Sequence, residues 1–230
     1  MPLRRLAPLV LLALLASCAA ALGVSDALGR SARTVVRAPG PLQRVVVATD
    51  AGDVRVRAVP QERRVEVRRA ARWLLAQPRV VQVLRGDTLE VRARCTVLAA
   101  LGPCATDLEV LVPSGVDVAA ATDGGEVRAS GLGGRIDLSA RGDVEGRELR
   151  PLVARARSRA GTVRLAFRNA PLQVEVAGAG DAVLRVPRGD DYRLDGEVAG
   201  RVRLDDVFRS DLASRRIDAD LAGDLAVLGR

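Results

Sequence analysis

A short unit recurs along most of this chain: an alternating strand, a turn containing Gly, and a second alternating strand. Its second halves read Gly125-Glu126-Val127-Arg128-Ala129, Gly142-Asp143-Val144-Glu145, Gly161-Thr162-Val163-Arg164-Leu165, Gly180-Asp181-Ala182-Val183-Leu184, Gly200-Arg201-Val202-Arg203-Leu204 and Gly223-Asp224-Leu225-Ala226-Val227. Successive glycines are 17, 19, 19, 20 and 23 residues apart. A unit of this size with two strands cannot bury its apolar face alone, so neighbouring units must stack. Alternation at period two turns one row of side chains inward and leaves the other in water. The inward residues are Val, Leu and Ala, with only four aromatics in the chain: Trp73, Phe167, Tyr192 and Phe208. Small and β-branched side chains suit a thin β layer. The chain therefore reads as all-β, a β-solenoid-like stack of short strand repeats over residues 113–230. Turns with Gly-Asp also close hairpins, so an antiparallel β-sandwich is the alternative.

Residues 41–112 follow the same pattern as an N-terminal β region. Arg44–Ala48 and Val54–Ala58 form a first strand pair around Thr49-Asp50-Ala51-Gly52-Asp53. Strands are also expected over Val65–Trp73, Val80–Leu84 and Leu108–Val112. Arg85-Gly86-Asp87 joins Val80–Leu84 to Thr88–Arg94 as a hairpin. Turns such as Thr49-Asp50-Ala51-Gly52-Asp53-Val54 and Thr122-Asp123-Gly124-Gly125-Glu126-Val127, with the Arg72-Trp73 segment and the Cys95…Cys104 loop, carry a resemblance. Over about residues 40–230 the chain resembles the bacterial β-strand-repeat family called "putative adhesin", a domain of unknown function. That family has Ser-Gly-Asp in these turns, and Arg159-Ala160-Gly161-Thr162 departs from it. The resemblance implies a surface-binding module and carries over no catalytic residue.

The first 24 residues read as an export signal or an anchor. Arg4 and Arg5 precede an uncharged run from Leu6 to Val24. Leu15-Ala16-Ser17-Cys18 matches a lipobox, in which Cys18 is lipidated and becomes the new N-terminus; Leu6–Leu15 has the length of a signal-peptide core. Equally, Leu6–Val24 is long enough for one transmembrane helix. Both readings place the body outside the cytoplasm, anchored to the cell membrane. Residues 25–40 read as a tether. Of the three cysteines, Cys18 belongs to the signal region, which leaves Cys95 and Cys104 as a disulfide pair around the Gly102-Pro103 turn.

All 36 basic residues are arginine, and His and Lys are absent. Ser-His-Asp, Cys-His and Ser-Lys nucleophile systems are therefore excluded, and no catalytic, cofactor or metal residue is assigned. The adjacent acids Asp190-Asp191 and Asp205-Asp206 would point to opposite faces of a strand and so make no dyad. Gly131-Leu132-Gly133-Gly134 opens no helix that could cradle phosphate. Gly178–Leu184 matches half of a calcium-roll repeat, but no tandem copy follows. Arg-Gly-Asp at 85–87, 141–143 and 188–190 arises where an Arg precedes a Gly-Asp turn, and is not an integrin motif. The net charge of +8 is spread among acids along the strands, with few aromatics for stacking, so nucleic acid is not an expected partner. The expected function is a non-enzymatic binding or scaffold module for an envelope polymer or protein. A sensor or regulatory ectodomain acting through a membrane partner is the alternative, with a cell-wall glycan enzyme a distant third.

Overall fold

The computed structural model describes residues 30–38, 41–61, 63–96 and 102–230, among which are twenty strands and no helix. Sheet A contains, in spatial order, β1 (Arg30–Arg37), β4 (Glu66–Trp73), β7 (Cys104–Val112), β3 (Val54–Ala58) and β9 (Val127–Ser130). It continues with β11 (Val144–Leu149), β13 (Val163–Phe167), β15 (Ala182–Val186), β20 (Leu225–Gly229) and β17 (Val202–Asp205). Sheet B runs from β18 (Phe208–Arg209) through β16 (Asp191–Asp195), β19 (Arg215–Leu221), β14 (Gln173–Gly178) and β12 (Val153–Ser158). It is completed by β10 (Ile136–Ala140), β8 (Asp117–Thr122), β2 (Arg44–Thr49), β6 (Thr88–Arg94) and β5 (Arg79–Arg85). The two sheets face each other across one hydrophobic core, and neither closes into a barrel.

The period-two pattern accounts for that core. Val45, Val47, Val54, Val56, Leu138, Leu165, Leu184 and Val227 are all buried, while their sequence neighbours point outward. Facing rows mix large and small side chains. Ala120, Leu138, Ala156, Val176 and Ala219 are register partners across β8, β10, β12, β14 and β19. In sheet A, Leu165 lies beside Gly146, where an added Cβ would stand 2.9 Å from a Leu165 methyl and 2.5 Å from one of Leu149. Such interdigitation fills a thin interior at native density.

Several expectations need correction. The segment read as a tether contains β1, which pairs antiparallel with β4 because Ala32, Thr34 and Val36 alternate toward the core side beside Ala71, Arg69 and Val67. Arg44–Ala48 and Val54–Ala58 do not pair with each other. They lie in opposite sheets, so the turn at 49–53 carries the chain across the core. The turns of the repeat do the same, and each repeat adds one strand to each sheet. Nearly all neighbours are consequently parallel; only β1–β4, β4–β7 and β5–β6 are antiparallel. The two-sheet arrangement is sandwich-like, but the antiparallel pairing of the sandwich alternative does not fit it. The division near residue 112 is not a structural break, since β3 pairs with both β7 and β9.

The strict succession of units expected of a solenoid is broken at both ends. The first strand pair, β2–β3, is enclosed between β6–β7 and β8–β9, and the last, β19–β20, is inserted between β14–β15 and β16–β17. Burial gives the reason. Ile217, Ala219, Leu221, Leu225 and Val227 supply a complete inward row. By contrast, β17 offers only Val202 and Leu204 between Arg201, Arg203 and Asp205. Each buried square ångström of apolar surface is favourable by about 25 cal/mol, so the more apolar pair takes the doubly covered position. Val202, expected inside, is 50% exposed as a result.

Candidate binding surface

The Gly-Asp turns carry a hydrogen-bond ladder along one side of the stack. Asp107 accepts from the backbone N–H of Asp53 at 3.0 Å, and Asp53 accepts from Glu126 at 3.1 Å. Asp143 accepts from Thr162 at 2.8 Å, Asp181 from Asp224 at 2.8 Å, and Asp224 from Arg201 at 2.8 Å. The hydroxyls of Thr49, Thr122 and Ser158 donate to backbone carbonyls of adjacent units, those of Thr106, Gly52 and Gly142. Glycine is needed here because the backbones nearly touch. A Cβ on Gly125 would lie 2.2 Å from the Gly52 carbonyl oxygen, and one on Gly180 would lie 2.3 Å from that of Gly161.

The Asp143 and Asp224 carboxyls sit below their ordinary value of 3.8, chiefly because the Thr162 and Arg201 amides donate to the ionised forms. Depressed carboxyls stabilise the fold above the unfolded-state pKa, and that contribution is lost as pH falls through the folded values. The urea midpoint is therefore expected to fall as pH drops below about 4. An Asp143→Asn Asp224→Asn protein should start lower at pH 7 and show a shallower acid limb. Parallel curves for the two proteins would refute this role for the turns.

Motifs flagged in the sequence are absorbed by the same scaffold. The Asp of Arg141-Gly142-Asp143 is held by Thr162 and by Arg164 at 3.0 Å. Asp190 of 188–190 pairs with Arg215 at 3.2 Å, and Gly86 of 85–87 occupies the β5–β6 hairpin with φ of 60°. The calcium-like segment contributes Asp181 to the ladder. Asp205 pairs with Arg203 and Asp206 with Arg188, so these neighbouring acids diverge. Gly131 and Gly133 donate to the Arg147 and Ser114 carbonyls as turn residues. Cys95 and Cys104 form a disulfide with a Cα separation of 6.1 Å. Cys18 and the whole of residues 1–24 lie outside the described residues; among the described residues no helix is long and apolar enough to cross a membrane. Also among the described residues, no group of three His, Cys, Asp or Glu side chains is placed to hold a metal.

A candidate binding surface lies on the outer face of sheet B. Parallel register sets Ala48 beside Ala121 and Ala121 beside Ser139, with Val46 and Ala119 in the adjacent row. These half-buried side chains form a shallow trough. Arg92 on β6 bounds one side next to Ala48, and Arg157 on β12 bounds the other next to Ser139. Four strand spacings separate the two walls, about 19 Å. Arg44, Arg135 and Arg155 gather at one end with Asp117 and Asp137. Asp117 spends one oxygen on the Arg135 backbone, 2.7 Å away, and Arg155 is tied to Glu175 at 2.7 Å. Arg44, Arg135 and Arg157 form no ion pair among the described residues. The trough was not foreseen from the sequence. The signal for it was Val118-Ala119-Ala120-Ala121-Thr122, a run whose outward residues after Asp117 are both alanine.

The chain is thus an all-β stack of two large mixed sheets whose outer face carries rows of arginine. Neither a family model nor a curated protein matches the chain. Two solved structures are similar to it. One is a putative cell adhesion protein from Clostridium sporogenes, with TM-score 0.54 and 10% identity, covering 88% of this chain and 100% of that one. The other is a putative adhesin from Bacteroides fragilis, with TM-score 0.51 and 11% identity, covering 85% of this chain and 97% of that one. At such identities the likeness is one of fold.

Proposed function

We propose that this chain is an extracytoplasmic, adhesin-like surface module that binds an acidic envelope polysaccharide in the sheet B trough. The observation that carries the reading is the trough itself: a flat floor of small side chains bordered by arginines, of which Arg44, Arg135 and Arg157 form no ion pair among the described residues. Small floor residues let an extended polymer lie close to the backbone. Arginine forks hold its carboxylates in bidentate fashion. The Cys95–Cys104 disulfide supports a site outside the reducing cytoplasm. The names of the two similar structures support a surface role. Residues 1–24 supply the membrane attachment, through lipid on Cys18 or an uncleaved helix. In this reading the module binds and does not catalyse.

The test is binding of the full chain, in detergent, to immobilised polygalacturonate, with neutral amylose and double-stranded DNA as controls. Binding to polygalacturonate alone is expected, weakening as salt rises. Arg44→Glu Arg157→Glu should weaken it at least about tenfold while leaving the thermal midpoint close to wild type. Equal binding by this variant, or a preference for amylose or DNA, would overturn the proposal.

A further inference from the structure

The two ends of the stack differ in charge and in shape. At one end, β1 and β5 are the free edges of sheets A and B. Between them the interior opens as a slot lined by Val36, Gln82 and Leu84, where the Gln82 amide nitrogen is buried without a hydrogen-bond partner. The four strands that build this end, β1, β4, β5 and β6, carry ten arginines against two acids, Glu66 and Glu90. At the other end β17 and β18 are the free edges. Here Val202 is 50%, Phe208 63% and Leu212 97% exposed, large apolar side chains that ordinary burial would claim. Residues 190–220 around them carry nine acids against six arginines.

We infer that the protein associates head to tail, the Phe208–Leu212 end of one copy seating on the Val36–Leu84 end of the next. Strand direction permits it. β1 is antiparallel to β4, and β4 to β7, so β1 runs in the same sense as the parallel strands, β17 included. Setting β17 of one copy beside β1 of another continues sheet A in parallel and aligns the two open interiors. Asp205 and Asp206 then approach the arginine-rich end. Pairing two like ends is disfavoured at the basic end, where Arg30, Arg33 and Arg37 on β1 and Arg79 and Arg85 on β5 would face their own counterparts; charged edges of this kind block edge-to-edge pairing. Different patches on each copy make the contact heterologous, so it builds open chains and not closed dimers. This inference is independent of the trough.

Single cysteines test it in the full chain carrying Cys18→Ser, in detergent, since Cys95 and Cys104 are bonded to each other and no other thiol remains. Leu212→Cys mixed with Leu84→Cys should give a cross-linked pair under mild oxidation. The double variant should give a ladder of multimers. Neither single variant alone, nor Arg185→Cys mixed with Leu84→Cys, should cross-link. Asp205→Arg Asp206→Arg should weaken association about tenfold or more by sedimentation. Cross-linking of Leu212→Cys with itself would mean like ends pair, and absence of cross-linking in the mixture would mean the ends do not meet; either overturns the inference.

Discussion

Leu165→Asp is expected to destabilise the protein by at least about 3 kcal/mol, the size of effect seen when a charge is left buried without a partner. Leu165 is 1% exposed at the centre of sheet A, between Gly146 on β11 and Leu184 on β15. No arginine reaches this interior row, so the carboxylate must either ionise in an apolar layer or take up a proton, and both cost stability. Domains of this kind are stable by only about 5–15 kcal/mol, so the loss is a large share of the total. Arg185→Asp, at an outward position beside Ala166, should change stability by no more than about 0.5 kcal/mol. In a stack of units, stability is roughly a sum of unit and interface terms. Hydrogen exchange in the Leu165→Asp protein should accelerate first in β11, β13 and β15 and in the facing β10, β12 and β14. Protection in β4 and β7 should survive. Uniform loss from β1 to β20 would show that the two sheets melt as one unit.

Removing the disulfide is the second large effect. Cys104 opens β7 opposite Trp73, and the Cys95 N–H donates to Asp50 at 3.1 Å, so the bridge fastens the β6 end of sheet B to the β7 end of sheet A. Its sequence separation is 9 residues. Closing a loop of about ten residues lowers the entropy of the unfolded chain by an amount worth roughly 2.5–3 kcal/mol on the chain-entropy model. Cys95→Ser Cys104→Ser should lower the urea midpoint accordingly, with little change in slope. Alkylation of the untreated exported protein should leave both thiols unmodified. Equal midpoints with and without the bridge would show that the unfolded chain is already constrained there.

The period-two alternation and the Gly-Asp turns determined the all-β class and most of the strands and inward residues from Val45 to Val227; Val202 is inward by parity but 50% exposed, because its unit lies at the free end of the stack. Local chemistry sufficed for this, because a strand residue's facing depends only on its parity and on which neighbours are apolar. The Cys95–Cys104 pairing was legible for a similar reason: two cysteines flank one short turn. Which strand lies beside which was not legible. The turn at 49–53 could have closed a hairpin or crossed the core, and only contact with units some twenty or more residues away selects the crossing. The insertion of β19–β20 ahead of β16–β17 depends on comparing the apolar rows of two units for one doubly covered position, a comparison that no single repeat contains. The trough has the same origin. Ala48, Ala121 and Ser139 belong to three separate units, and parallel register alone sets them side by side between Arg92 and Arg157.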